Sequence, residues 1–405
     1  MNSANDPAHR FAPGLLPQGH PRAAHPLTAA TLTPEALAAA LVTLEAAAPE
    51  LLHTEILGRS TEDRPVRRVT CGTGPLRVLL WSQMHGDEPT ATLALLDLLH
   101  MLADPAHAPA WTETLLANAT LVLVPMLNPD GAARYRRYNA AGIDVNRDAR
   151  RRASREAEML VRLHAHVRPQ VAFNLHDQEV RTAGEMPTLA ALALLAPPPD
   201  EGRTMTPERA HAVLLAGRIA RAVDACAPGR VARYDDTYEP RAFGDTIQAA
   251  GTSTVLVESG HWPGDPLKET VRRLTLVALC AALLGAVRED LGEPDATAYT
   301  ALPLNGRRGY DLLLRGLQVQ TAGGLRLRAD AGFVRQGALH DGKLVLREVG
   351  DLDGFTAVEE VRADGATVGP ADLAVDASYT RAEIERIVPG RGVAADGGGA
   401  LRPLP

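Results

Sequence analysis

The spacing of apolar residues changes several times along the chain, and each change marks an expected element. After Thr33-Pro34-Glu35, apolar residues recur at helical intervals in an Ala/Leu-rich run, with Thr33 placed to cap the helix and Pro34 in its first turn. Short apolar runs around residues 54–57, 66–70 and 76–81, divided by Gly, Pro or charged residues, read as three strands. Helical spacing returns over 89–102, a β-branched run at 121–125 reads as a buried strand, and 155–167 reads as a helix. A strand at 170–175, a helix at 208–225, a strand at 254–257 and a long helix at 266–289 follow, ending before Gly292-Glu293-Pro294. This alternation predicts an α/β fold: a mixed, mostly parallel central sheet flanked by helices.

From about residue 297 the texture is different. Strand-like runs at 310–314, 325–328 and 343–347 are separated by turns containing Gly, Asp and Asn, which predicts a small C-terminal all-β domain. The expected organisation is a flexible arm over 1–30, an α/β domain over 31–292, a β-rich accessory domain over 297–389 and a flexible tail over 390–405.

Composition narrows the function classes. With 45% hydrophobic and 22% charged residues, the 405-residue chain can bury a sizeable core. A formal net charge of −7 leaves no electrostatic footprint for nucleic acid. The three cysteines, Cys71, Cys226 and Cys280, are far apart and form no C-x-x-C pair, so neither a disulfide framework nor a cysteine zinc site is expected, and a reduced, cytoplasmic protein is. The first 30 residues show no continuous apolar stretch of a secretory signal, and no run of about 18 uncharged apolar residues predicts a membrane span.

Candidate chemistry begins where a buried strand gives way to a helix, in Trp81-Ser82-Gln83-Met84-His85-Gly86-Asp87-Glu88-Pro89. His85 and Glu88 lie three apart, so an imidazole nitrogen and a carboxylate can meet on one cation, and Gly86 lets the backbone turn between them. A catalytic zinc takes three N/O ligands and leaves a position for water. His176, directly after the apolar run Phe173-Asn174-Leu175, offers the third ligand at another strand end, where open α/β sheets build their sites. His164 and His166 sit in a helical surface pattern, and His100 and His107 have no acidic partner at ligand spacing.

Between these ligands run Asn128-Pro129-Asp130-Gly131, Arg137-Tyr138-Asn139 and Asp144-Val145-Asn146-Arg147, and a glutamate ends the later strand run Thr254-Val255-Leu256-Val257-Glu258. Taken in order over residues 50–290, H-x-x-E, N-P-D-G, R-x-N, D-x-N-R, the strand-end histidine and the strand-borne glutamate resemble the zinc carboxypeptidase superfamily, the carboxypeptidase A-like metallopeptidases. The resemblance implies one Zn2+ per chain held by His85, Glu88 and His176. It implies that Asp144 fixes the tautomer of His85, and that Asn146 and Arg147 grip the free carboxylate of a peptide or acylated amino-acid substrate, for which a guanidinium fork is suited. Arg137, chosen over Arg136 because it begins R-x-N, is similar to the arginine that stabilises the tetrahedral oxyanion. Glu258 is similar to the general acid/base that takes a proton from the attacking water and gives it to the leaving amine. Tyr238 lies where the family carries a mobile tyrosine over the substrate, with Tyr234 four residues earlier as the other choice.

The chain departs from the common pattern after Asn146-Arg147, where Asp148-Ala149 and an arginine-rich segment follow, and Asp177-Gln178 adds negative charge beside the metal. Gly244 is a candidate for the floor of a specificity pocket. The resemblance thus implies a zinc-dependent carboxypeptidase-type hydrolase. Two other readings stay open: an aspartoacylase-like N-acyl amino acid deacylase, and a catalytically silent peptide-binding member. Retention of Arg137 and Glu258 argues against the silent reading, because a binding module has no need of a proton shuttle.

Overall fold

The computed structural model describes residues 26–104, 109–288, 296–337, 342–369 and 372–388. Most of the expected arm, the helix stop at 292–294, His107 and the tail lie outside them. Residues 26–30, assigned to the arm from sequence, are partly packed: Ala29 is buried in the main core, as is Leu32 just after the expected arm.

Local signals act much as the spacing suggests. Thr33 accepts a hydrogen bond from the Ala36 amide at the start of helix Pro34–Ala47. Ser154 caps helix Arg155–Val167 by accepting from the Ala157 amide, and Arg168, at φ 47°, ends that helix in the left-handed region. The strands are β1 (His53–Arg59), β2 (Pro65–Cys71), β3 (Leu76–Ser82), β4 (Ala119–Val124), β5 (Val171–Asp177), β6 (Thr182–Ala183), β7 (Leu192–Leu195), β8 (Val231–Arg233) and β9 (Ser253–Ser259).

Eight of these form one mixed sheet in the order β1-β2-β4-β3-β5-β9-β7-β8. β3, β4, β5 and β9 run parallel to their neighbours in the centre, whereas β1, β2 and β7 add antiparallel pairings. The central strands are buried on both faces, as parallel strands under crossover helices must be. On one face, helices Thr90–Ala103, Pro207–Cys226 and Glu269–Val287 pack into the larger core. The apolar stripe of Arg155–Val167 fills the other with Leu160, Leu163 and Val167.

Helix Glu269–Val287 is long and apolar enough to cross a membrane by length and composition, but here it is a core helix. It buries a charge as well: Arg272 donates from Nε and Nη2 to the two oxygens of Asp97 at 2.7 and 2.6 Å, and from Nη1 to the Leu27 carbonyl at 2.7 Å. That last bond ties the chain before the first helix to the core.

The C-terminal part forms a second sheet from β11 (Gly309–Gln320), β12 (Arg326–Gln336), β13 (Lys343–Gly350), β14 (Thr356–Arg362) and β16 (Ser378–Tyr379), in the order β14-β11-β12-β13-β16, with β15 (Thr367–Val368) also beside β11. Leu312, Leu314, Phe333 and Leu346 give it its own core. A helix at Arg381–Ile387, fixed by a capping box between Thr380 and Glu383, closes it; that run is too short to show helical periodicity in the sequence. The junction is docked: β10 (Asn305–Gly306) pairs with β6, and the Ala196 amide donates to the Tyr299 hydroxyl at 3.1 Å.

Candidate metal centre

Parallel register brings the strand ends together. In the β5–β9 ladder His176 lies opposite Glu258, and β3 lies on the other side of β5, ending at Ser82 just before the loop that carries His85 and Glu88. That loop is tightly specified. Gln83 adopts φ 49° and donates from Nε2 to the Gly86 carbonyl at 2.9 Å. A Cβ on Gly86 would lie 2.0 Å from the Gly131 backbone, so the loop packs against the N-P-D-G turn only because residue 86 has no side chain.

The sequence blocks between the ligands divide into scaffold and site. Asn128 accepts from the Gly131 amide and donates to the Met84 carbonyl, joining the turn to the ligand loop. Asp130, fully buried, accepts from Ser60 and Arg64. Asn139 accepts from the amides of Ala141 and Ile143 and donates to buried Glu156 at 3.0 Å, which folds the loop that presents Arg137.

His85, Glu88 and His176 are all buried, and their ligand atoms lie within 4.8 Å of one another. Nδ1 of His85 is 2.7 Å from one Glu88 oxygen and Nδ1 of His176 is 2.7 Å from the other. Two imidazoles and one carboxylate converging in a buried position match the donor set of a catalytic zinc. Electrostatics agree. Burial opposes a charge on His85, but Glu88 and Asp144 prevail and raise it to about 9, while the two histidines hold the Glu88 carboxyl well below its usual range against the cost of burial. His176 is pushed down by burial. The cluster therefore draws positive charge to its centre, and a divalent cation satisfies the same need.

Asp144 has two tasks. One oxygen lies 3.0 Å from His85 Nε2, which directs Nδ1 toward Glu88. The other accepts from Arg137 Nε and Nη2 at 3.0 and 2.9 Å, and this clamp holds Arg137 Nη1 at 3.2 Å from His85 Nδ1. The sequence offered the first task; the second depends on the fold.

Asn146 and Arg147 sit on the short turn Val145–Arg147, which Asp144 caps by accepting from the Asn146 amide. Asn146 Nδ2 is 3.4 Å from His176 Nε2, its Oδ1 accepts from the Phe243 amide, and Arg147 Nε is 3.7 Å from Glu239. Glu258 is buried, and burial, followed by the charge of Glu88, pushes its carboxyl up to about 8.

His85, Glu88, Arg137, Asn146, Arg147, His176 and Glu258 line one cleft of about 680 Å³, and Asp144 is not among the lining residues. Gly244 lines it too, where an added Cβ would touch Asn174 Nδ2 and Pro197 at 3.4 Å. Tyr234 lines the cleft, and its hydroxyl is raised first by the charge of Glu258; Tyr238 is not among the lining residues. The negative charge of Asp177 is compensated: Lys268 Nζ approaches at 3.2 Å and Thr90 donates at 2.5 Å. Sequence reasoning passed over Lys268, although a lysine in a chain with only two, the other being Lys343, was a visible signal. Asp87, Asn174 and Asp245 were also missed, as was the contribution of Val334, Arg335 and Gln336 from β12, all of which face the cleft. All three metal-site residues come from the α/β part among the described residues.

Comparison with known proteins points the same way. The zinc carboxypeptidase family model matches residues 37–173, a stretch that holds His85, Glu88, Arg137, Asp144, Asn146 and Arg147 and stops before His176. Carboxypeptidase 2 of Trichophyton tonsurans is 33% identical over 102 residues, covering 25% of this chain and 18% of that protein. Carboxypeptidase SOL1 of Arabidopsis thaliana is 37% identical over 65 residues, 16% of this chain and 13% of the relative. The matched segment thus spans less than a fifth of these relatives' length. Among solved structures, a metallo-carboxypeptidase from Burkholderia cenocepacia superposes with a TM-score of 0.51 at 19% identity, over 62% of this chain and 68% of that one. Bovine thrombin-activatable fibrinolysis inhibitor superposes at 0.52 and 13% identity, over 64% and 98%. These structures share the fold.

Proposed function

Taking as premise that this chain is a relative of the zinc carboxypeptidases, we propose that it is a zinc-dependent hydrolase of carboxypeptidase type, cleaving an amide bond next to a free carboxylate. The observation that carries this reading is the convergence of His85, Glu88 and His176 in the same cleft as Arg137, Arg147 and Glu258. Zinc held by those three ligands supplies Lewis acidity at the scissile carbonyl and acidifies water. The chain's own residues supply the rest. Asn146 and Arg147 hold the substrate carboxylate and fix which amide is presented. Glu258 takes a proton from the attacking water and delivers it to the leaving nitrogen; its burial keeps the carboxyl near neutrality, where both transfers are favourable. Arg137, pre-oriented by Asp144, meets the negative charge that develops on the carbonyl oxygen, so its contribution is greatest in the transition state. A reduced, cytoplasmic protein fits this reading, since all three cysteines are free and buried.

Two outcomes test the proposal. Purified protein loaded with metal should hold about one zinc per chain, and His85→Ala or His176→Ala should lose it on dialysis, as measured by elemental analysis. Full occupancy in His176→Ala would remove that residue from the site. Amidating the C-terminus of a cleaved peptide leaves Arg147 without its partner, and a charge-assisted hydrogen bond is worth roughly 1.5–3 kcal/mol, so kcat/KM should fall about tenfold to a hundredfold. Equal rates on acid and amide would sink the carboxylate grip. An N-acyl amino acid deacylase would show itself in the same assay by preferring acylated amino acids to peptides.

A further inference from the structure

The register of the sheet orders the cleft wall. Across the β5–β9 pair Asn174 lies opposite Leu256 and His176 opposite Glu258, and the Gln178 amide carries the ladder on by donating to the Ser259 carbonyl at 3.0 Å. Side chains two apart on a strand share a face, so Asn174, His176 and Gln178 form one row, and all three line the cleft. The two ends of that row have different neighbours. At Asn174 lies Gly244, which follows Phe243, whose amide donates to Asn146; this is the end with Arg147. At Gln178 lies Gly260, where an added Cβ would come 3.0 Å from Gln178 Nε2, and then His261. The metal ligand His176 stands between the two. On the proposed reading the substrate carboxylate takes the Arg147 end, so the acyl part runs along the row toward Gln178. Two strand positions separate Gln178 from His176, roughly 6–7 Å, which is about one extended residue plus one hydrogen bond.

Gln178 and His261 line the cleft and are only 8% and 6% exposed, yet Gln178 Nε2 and His261 Nδ1 are buried without a hydrogen-bond partner. The carboxamide is held in one orientation: Asn305 Nδ2 donates to its Oε1 at 2.7 Å, so Nε2 is the atom left open. Asn305 belongs to the C-terminal part. It sits on β10, which pairs with β6 so closely that a Cβ on Gly306 would lie 2.0 Å from the Gly184 carbonyl oxygen. Charged side chains lining this part of the cleft are matched already, Lys268 with Asp177 at 3.2 Å and Arg335 with Asp311 at 3.6 Å. What stays open at Gln178 and His261 is a neutral N–H donor and an imidazole nitrogen able to accept. A buried polar atom without a partner is costly, and a ligand that supplies the partner removes the cost.

We propose that the C-terminal part completes a subsite for the peptide group that precedes the scissile bond. Gln178 Nε2 donates to the carbonyl oxygen of that group, His261 Nδ1 accepts from its N–H, and Asn305 is the positioning residue that presents Nε2. This rests on the carboxypeptidase-type reading and narrows its substrate class to peptides with an amide on the acyl side, over simple N-acyl amino acids.

The test is calorimetric binding to the zinc-loaded Glu258→Gln protein, in which bound substrate persists. For a panel of C-terminal residues, an N-acetyl dipeptide is compared with its depsipeptide, in which an ester oxygen replaces the N–H of the acetyl amide, and with a hydrocarbon-acyl amino acid of equal length that lacks this group altogether. The N-acetyl dipeptide should bind at least about tenfold more tightly than the hydrocarbon form, with the depsipeptide between them. Gln178→Ala should weaken the dipeptide and the depsipeptide about tenfold while leaving the hydrocarbon form unchanged, and His261→Phe should make dipeptide and depsipeptide equal. Asn305→Asp removes the donor to Gln178 Oε1, so the carboxamide turns and offers its oxygen; the same two ligands should weaken and the third should not, a split that a merely structural role would not produce. Equal affinity of the dipeptide and the hydrocarbon form would overturn the proposal, as would absence of binding by all three. Should Gln178→Ala fail to fold or to hold zinc, the ligand comparison in the parent protein and the Asn305→Asp result decide. A protein that shows the amide preference but whose wild type cleaves nothing would keep this inference and remove the hydrolase reading; cleavage without the preference would do the reverse.

Discussion

Glu258→Gln is expected to leave the fold, the zinc content and the affinity for substrate nearly unchanged while turnover falls by roughly two to four orders of magnitude, the usual contribution of a positioned acid/base. The residue ends β9, opposite His176 in the parallel register, and is buried on the cleft wall. Glutamine has the same shape and can keep hydrogen bonds, but it cannot accept the proton of the attacking water. The loss therefore belongs in kcat, with KM little moved. A pH profile adds a second readout. Burial raises the Glu258 carboxyl, and the catalytic form is the carboxylate, so wild-type activity should decline as pH falls through its pKa; the positive charge of bound metal sets that limb below the metal-free value of about 8. The residual activity of the variant should lack this limb. Turnover near wild type would mean that another base operates.

Arg272→Leu is expected to cost about 3–5 kcal/mol of stability, read as a lowered midpoint in urea unfolding. Arg272 is 1% exposed and Asp97 is fully buried, and their bidentate pair joins helix Glu269–Val287 to helix Thr90–Ala103. Removing the cation strands a carboxylate in an apolar core and also releases the Leu27 carbonyl, which needs a donor there. The double variant Asp97→Leu/Arg272→Leu should recover most of the loss, because the desolvation of both charges disappears together. Equal instability of the single and double variants would show that packing volume, not the stranded charge, sets the cost. Zinc binding by the surviving folded protein should be unaffected, since the pair lies in the core and is not among the residues that line the cleft.

Much of the α/β architecture was written locally. The run over 155–167 carries its apolar stripe, with its cap Ser154 and its end Arg168 directly on either side, and the observed helix has those bounds. The apolar runs that became β3, β5 and β9 are legible because a strand buried on both faces needs no alternation. The helix Pro109–Asn118 and the strand β7 carried no comparable signal and were not anticipated; β7 is four residues long and is held in place by its antiparallel pairing with β9. His85 and Glu88 were legible as a pair because three residues is a local distance.

What the chain could not state by itself is every relation that depends on long-range register. His176 lies 2.7 Å from Glu88 because two parallel crossovers align β3, β5 and β9, and no local pattern encodes that alignment. The same holds for Asp144, whose second oxygen clamps Arg137, for Tyr234 rather than Tyr238 facing the cleft, and for Lys268 neutralising Asp177 across 91 positions of sequence. Spacing along the chain specifies which face a residue shares with its near neighbours, since helix and strand periods are fixed by backbone geometry. Which distant faces meet is decided by burial of the whole apolar surface at once, and so the edge of β12 enters the cleft only in the folded protein.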